Sequence, residues 1–180
     1  MPVESPSDIA AAKFETPKLA FVALGSNLGD AMGNVRRAMD LLQELTDLPL
    51  LRSSLWQSTP VDCPPGSPLF VNAVVGLRPR PGESPELLFE KMQDLEKEFG
   101  REPKRVLNEP RPLDLDLIVF GRERRDTPLL TLPHPRAHSR RFVLQPLSEI
   151  APDLILPGQV LNVRQLLETT EPSQTLLRVG

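Results

Sequence analysis

Residues 113 to 120, LDLDLIVF, constrain this chain more than any other segment. Side chains along a β-strand alternate between its two faces. Leu113, Leu115 and Leu117 therefore share one side, and Asp114 and Asp116 share the other. Such a strand needs an apolar layer beneath it and places two carboxylates next to each other above. Unneutralised, like charges this close destabilise each other, and a divalent cation reverses the sign of the interaction. An all-oxygen pair suits magnesium, which keeps waters and takes its remaining oxygens from phosphates. A half-exposed edge strand carrying two solvated acids gives the same pattern. The strand alone leaves both readings open.

The rest of the chain supplies partners for that strand. Residues 19–24, LAFVAL, form a short apolar run ended by Gly25, which predicts a buried strand closing in a turn. After GSNLGD, the apolar residues Val35, Ala38, Met39, Leu42 and Leu45 recur at spacings of three and four, with Asp30 placed to cap the helix they define. Leu50 to Gln57 and Phe70 to Leu77 read as two strands separated by the proline-rich loop STPVDCPPGSP. A second helix is expected to open on Ser84 and Pro85, to bury Leu88, Met92, Leu95 and Phe99, and to stop at Gly100. The order is strand, helix, strand, strand, helix, strand. This predicts an α+β fold with a ferredoxin-like βαββαβ core, in which an antiparallel sheet carries both helices on one face. Residues 139–150 are expected to form a C-terminal, partly helical segment, interrupted by Pro146, covering the other face.

A length of 180 residues suits one well-filled domain. We divide the chain into a disordered leader (1–18), a catalytic domain (19–160) and a C-terminal tail (161–180). The leader lacks the basic start and apolar run of a secretory signal. Cys63, the single cysteine, cannot form an internal disulfide, and no apolar run is long enough to cross a bilayer. The expected location is the cytoplasm. A net charge of -3 gives no global attraction to nucleic acid or an acidic membrane. Between Arg101 and Arg141, however, cations outnumber acids by ten to six, a local excess better matched to a polyphosphate than to a duplex.

Several residues could use that excess. Arg111 stands just ahead of the aspartate strand, and arginine forks match phosphate oxygens, although any one of these arginines could equally be a solvated surface charge. GSNLGD is not a phosphate-binding loop, because neither G-x-x-x-x-G-K-[ST] nor G-x-G-x-x-G is present. Gly25 and Gly29 are expected to shape a turn that Ser26 and Asn27 cap or cross-link. Gln93 and Glu96 are neighbours on the second helix, with Glu96 at the border of its apolar stripe, or both simply on its solvated face. His134, between Pro133 and Pro135, sits in a rigid loop within reach of a phosphate or metal site. His138 does not make it a zinc pair, since no further ligand set accompanies them. Phe70 and Asn72 share a strand face, offering a ring to stack on and an amide edge, or a core ring beside a surface amide.

Taken together, ALGSNLGD, STPVDCPPGSPLFVNAVV, EKEFGRE, NEPRPLDLDLIVFG and LPHPRAHSRRFVLQPLSEIAP resemble the 6-hydroxymethyl-7,8-dihydropterin pyrophosphokinases of folate biosynthesis, collinearly from about residue 20 to residue 157. The resemblance implies transfer of a diphosphate from ATP to the pterin hydroxymethyl group, with release of AMP. It implies that Asp114 and Asp116 hold two magnesium ions, and that Arg101, Arg111 and the segment from His134 to Arg140 contact the triphosphate. Gln93 and Glu96 would lie near the nucleotide. Thr59, Pro60 and Asp62 would offer mainly backbone groups to the pterin, Asn72 would bond its edge, and Phe70 and Phe142 would sandwich its ring. The expected partners are ATP and the reduced pterin alcohol, with no nucleic acid or membrane, and the expected state is a monomer. The base that takes the hydroxyl proton is either Asp116 or none, the metal itself acidifying the hydroxyl.

Three positions depart from many members of that family. Asn108 stands where a tryptophan is frequent, Pro103 where an arginine is, and Pro135 where a tyrosine is. The N-x-P-R form around Asn108 marks a subfamily variant. Two other classes compete with this reading: a nucleotide-sensing ferredoxin-like module and a metal-dependent phosphohydrolase. The first has no use for paired aspartates, and the second would need more acids to activate water.

Overall fold

The structure is a computed structural model that describes residues 18–60, 63–100, 110–171 and 175–180. In chain order it contains β1 (Ala20–Ser26), α1 (Ala31–Gln43), β2 (Leu51–Arg52), β3 (Trp56–Ser58), β4 (Phe70–Leu77), α2 (Pro85–Glu98) and β5 (Asp114–Phe120). These are followed by β6 (Arg125–Asp126), β7 (Thr131–Leu132), a 3-10 turn at Ala137–Ser139, α3 (Arg141–Ile150), α4 (Val163–Thr169) and β8 (Leu176–Arg178). The main sheet runs β5-β1-β4-β3-β8, with β2 also paired to β4. Every pairing is antiparallel, so the fold is a mixed α+β structure on an antiparallel sheet.

The two faces of this sheet differ in what covers them. Leu113, Leu115 and Leu117 turn to one face, where they join Val22, Leu24, Val71 and Val75 beneath Val35, Met39 and Leu42 of α1 and Leu88, Met92 and Leu95 of α2. Each such leucine, fully buried, contributes about 1.5–3 kcal/mol. Both helices begin as their sequences require: Asp30 accepts the Gly33 N–H at 3.0 Å, and Ser84 accepts the Leu87 N–H at 3.1 Å. The opposite face carries Phe21, Ala23, Val74 and Ile118, covered by Val143, Leu144 and Leu147 of α3 and Val163 and Leu166 of α4. That cover is incomplete over β5, where both aspartates are only half-buried.

Three local features differ from expectation. Gly25 does not close the first strand in a turn: β1 runs on to Ser26, because β4 pairs along its whole length and β5 as far as Gly25. The turn glycine is Gly29, at φ 70°. The second expected strand is split in two by a bulge. From Arg52, opposite Val75, to Trp56, opposite Asn72, four residues advance against three. Ser53 repairs the ladder there, giving its N–H to the Val74 carbonyl at 3.0 Å and accepting the Val74 N–H on its hydroxyl at 2.9 Å. Because side-chain direction has period two, the extra residue turns Trp56 and Ser58 toward the aspartate face and sends Leu55 into the helix side.

Pro146 lies inside α3 without interrupting it. It removes a single backbone donor, and the packing of Val143, Leu144 and Leu147 against the sheet holds the helix around it. Past residue 160 the chain forms α4, opened by a capping box between Asn162 and Gln165, and then β8, which pairs with β3. Among the described residues no helix is long and apolar enough to cross a membrane.

Gly76 is needed for close approach. A Cβ placed on it would lie 2.9 Å from the Phe21 ring and 3.3 Å from the Leu51 Cβ. Gly76→Ala is expected to destabilise the fold by about 1–3 kcal/mol through overpacking. A urea denaturation midpoint equal to that of the parent chain would refute this.

Candidate active site

Three strands set out the site. Their register puts Asn72, Gly25 and Asp114 in one row, and Val74, Ala23 and Asp116 in the next. Strands lie about 4.8 Å apart, so Asp114 and Asn72 stand on the order of 10 Å from each other across Gly25. Trp56 opposite Asn72, and Ser58 opposite Phe70, extend the same surface onto β3. Ala23 and Val74 are buried beneath α3, while the Asp114 side chain keeps 25% of its surface exposed. The Gly25 row thus borders the covered part of the face: Gly25 and Asn72 are buried, and Asp114 at its β5 end is partly exposed.

Arg111 forms an ion pair with the first aspartate, with Nη1 3.2 Å from Asp114 Oδ2 and only 13% of its side chain exposed. A buried asparagine fixes its backbone. Asn27 Oδ1 accepts the Arg111 N–H at 2.9 Å, and the Asn27 N–H donates to the Arg111 carbonyl at 3.2 Å. Beside it, Asn34 Nδ2 donates to the carbonyls of Pro112 at 3.2 Å and Leu28 at 3.1 Å. The expected cross-link within GSNLGD is therefore mainly a long-range one. It clamps the segment that enters β5 against the end of β1.

His134 and Arg140 approach from the loop after β7. The His134 N–H donates to the Ile118 carbonyl at 2.8 Å, which brings this loop alongside β5, an edge strand of the sheet. Nδ1 of His134 accepts the Arg136 N–H at 3.2 Å, which assigns the ring proton to Nε2. Burial, reinforced by Arg140 and Arg136 and only partly offset by Asp114, lowers the His134 pKa from 6.5 to about 4. For Arg140, burial weighs most against the charge and Asp116 most in favour, with Arg136 and Arg111 adding to the first and Asp114 to the second. Three arginines and both aspartates thus act on one another electrostatically in one place. The Arg140 guanidinium also lies 5.4 Å from the centre of the Phe142 ring, at the start of α3.

At the other end of the row is a slot of different character. Asn72 is buried, and its Nδ2 donates to Ser58 Oγ at 2.6 Å and to the Trp56 carbonyl at 3.4 Å. That choice turns Oδ1 toward β1, 3.5 Å from where a Cβ on Gly25 would be, with the Phe70 ring 3.8 Å from the same point. Absence of a side chain at Gly25 keeps this floor open. Thr59 and Pro60 follow Ser58, both half-buried.

Other expected site residues are placed differently. Arg101 and Asp62 lie outside the described residues, as do Pro103 and Asn108. Gln93 is exposed on α2. Glu96 accepts the Leu115 N–H at 3.0 Å, and so caps the edge of the aspartate strand. Ser58, Trp56, Asn34 and the reach of Asn27 to Arg111 escaped the sequence reading. A buried serine or asparagine carries no periodic signal, and its partners are distant in the chain. Among the described residues no group of three or more His, Cys, Asp or Glu side chains could hold a metal ion. The two carboxylates fit a cation that draws its other oxygens from substrate and water.

The His134 shift has a consequence for stability. Its folded pKa is depressed, so the unfolded chain binds the proton more readily. The stabilisation is complete above about 6.5 and is lost as pH falls toward 4. His134→Gln is expected to lose less stability than the parent chain between those pH values in chemical denaturation. Parallel curves would contradict the assignment.

Comparison with known proteins adds a family. Residues 21–152 match the 7,8-dihydro-6-hydroxymethylpterin-pyrophosphokinase family. A 2-amino-4-hydroxy-6-hydroxymethyldihydropteridine pyrophosphokinase of Synechocystis is 36% identical over 152 residues, covering 84% of this chain and 76% of that protein. One of the same name from Haemophilus influenzae is 39% identical over 140 residues, covering 77% and 85%. In fold, the chain is similar to a crystal structure of the Plasmodium falciparum HPPK-DHPS triple mutant with pteroate, at a TM-score of 0.61 and 12% identity. That match covers 85% of this chain and 43% of the solved one, so this chain spans less than half of it.

Proposed function

The chain belongs to the 7,8-dihydro-6-hydroxymethylpterin-pyrophosphokinase family, and from that membership we propose that it transfers a diphosphate from ATP to the hydroxymethyl group of 6-hydroxymethyl-7,8-dihydropterin. The observation that carries the reading is the row on one sheet face: carboxylates among arginines at Asp114, and a ring beside an amide at Asn72. A triphosphate needs the first end and a flat heterocycle the second. Their separation, on the order of 10 Å, suits a reaction that joins the two.

In this reading Arg111 and Arg140, with His134 and Arg101, take the triphosphate, and Gln93 and Glu96 lie near the nucleotide. Phe70 and Phe142 hold the pterin ring. Asn72, helped by backbone groups of Thr59, Pro60 and Asp62, bonds its edge. Asp114 and Asp116 would hold two magnesium ions, which supply neutralisation of the transferring group and align attack with departure. The hydroxymethyl oxygen bonds to the β-phosphorus as the bond from that phosphorus to the α-bridging oxygen breaks. AMP leaves with the bridging oxygen, and the hydroxyl proton passes to Asp116. The protein's share is positioning and charge neutralisation, since phosphoryl transfer asks little covalent work of it. His134, neutral at pH 7, contributes an Nε2–H donor and no charge.

The strand order and the placement of α1 and α2 on one face support a ferredoxin-like core for this enzyme. The reading takes residues 19–160 as the catalytic domain of a cytoplasmic monomer.

Protein mixed with ATP, magnesium and the reduced pterin alcohol is expected to yield AMP and the pterin diphosphate. Formation of ADP or phosphate instead would favour a hydrolase, and no consumption of nucleotide would favour a sensing module. Asp116→Asn is expected to cut turnover by on the order of 100-fold or more while weakening ATP binding less. Near-parent chemistry in a single-turnover measurement would remove Asp116 from its role.

A further inference from the structure

β3 is a short strand to carry one wall of the slot. It contributes three residues, and the bulge at Ser53–Leu55 separates it from β2. Glu149, in the last turn of α3, grips it from above. Oε1 of Glu149 accepts the Trp56 indole N–H at 2.6 Å, and Oε2 accepts the Ser54 hydroxyl at 2.8 Å. The indole has a single donor, and this contact uses it. Hydrogen bonds to a carboxylate are shorter and about twice as strong as neutral ones. Both oxygens of one side chain therefore hold the bulge and the strand that follows it.

The helix bearing Glu149 also bears Phe142, and starts directly after Arg140. Its ten residues span about 15 Å. One rigid rod thus joins the phosphate-binding end of the site to β3. On β3, Trp56 is in register with Asn72, and Ser58 Oγ accepts from Asn72 Nδ2. That bond decides which amide atom faces Gly25. If β3 shifts, the Ser58 hydroxyl moves with it, and the Asn72 amide loses its fixed orientation.

We propose that Glu149 is a positioning residue for the heterocyclic substrate, holding Trp56 and β3 so that Ser58 presents the Asn72 carbonyl oxygen to the slot. The assignment rests on the pterin reading of that slot. It gives Glu149 no contact with substrate: the side chain acts through Trp56 and Ser58, at the C-terminal end of the helix. An acceptor fixed at Asn72 Oδ1 selects a heterocycle with an N–H on its bound edge.

Steady-state AMP formation, with ATP and pterin alcohol varied separately, tests this in the parent chain, Glu149→Ala, Glu149→Gln, Trp56→Phe and the Glu149→Ala/Trp56→Phe double variant. Glu149→Ala is expected to raise KM for the pterin alcohol about tenfold, with KM for ATP changed less than about twofold. Glu149→Gln, which keeps an acceptor oxygen, should recover most of the loss. Trp56→Phe should resemble Glu149→Ala, and the double variant should be no worse than either alone, as expected of two residues acting through one contact. Trp56 is the only tryptophan, so its emission reports the clamp directly and should shift in Glu149→Ala. An unchanged pterin KM, multiplicative single effects, or equal rises in both KM values with a lowered Tm would each overturn the proposal. A parent chain that makes no AMP would overturn the pterin reading itself, whereas an active parent with unaffected variants overturns only the clamp.

Discussion

The antiparallel register of β4, β1 and β5 is the constraint on which the rest depends. It sets Gly25 between Asn72 and Asp114, and by strand alternation it sends leucines to one face and both carboxylates to the other. A slip of one residue in the β1–β5 pairing would bury the aspartates under α1 and α2 and expose the leucines. The cost of burying two carboxylates in an apolar layer makes that register inaccessible. Core and site are therefore specified by the same hydrogen bonds.

Around that register the electrostatics are arranged at close range. Arg111 is held by main-chain bonds to Asn27 and meets Asp114 in a largely buried pair, which water screens less than a surface one. Arg140 enters from the loop after β7, at the head of α3. Its charge is opposed by burial and by Arg136, so an added anion would relieve it. His134 stays neutral among these cations because burial and two arginines outweigh Asp114. The result is a concentration of positive charge that two carboxylates only partly balance, on a chain whose net charge is -3.

Much of this was legible beforehand. LDLDLIVF carried its own geometry, and both helices were marked by caps, by Pro85 and by spacings of three and four, since those signals act within a few residues of one another. The family motifs named the aspartates, Asn72 and Phe70 as candidates, and the structure sets all four on one face. The split of the second strand was not legible, because a bulge depends on the partner's register and Leu50 to Gln57 reads as continuous without it. Gly25 was misplaced for a similar reason. A glycine after an apolar run signals a turn, and only pairing on both edges kept the chain extended. Pro146 signals a break because its missing donor is local, whereas the packing that holds α3 together is not.

Sequence alone determined the alternation of LDLDLIVF, the two amphipathic helices and the inventory of charged groups, since each follows from short-range periodicity and residue chemistry. Tertiary structure alone decided which of those groups meet: Asn27 with Arg111, Glu96 with the edge of β5, Glu149 with Trp56, and β8 with β3. These contacts join residues 19 to more than 100 positions apart. Their geometry depends on how two layers of helices close over opposite faces of one sheet, which no local pattern encodes.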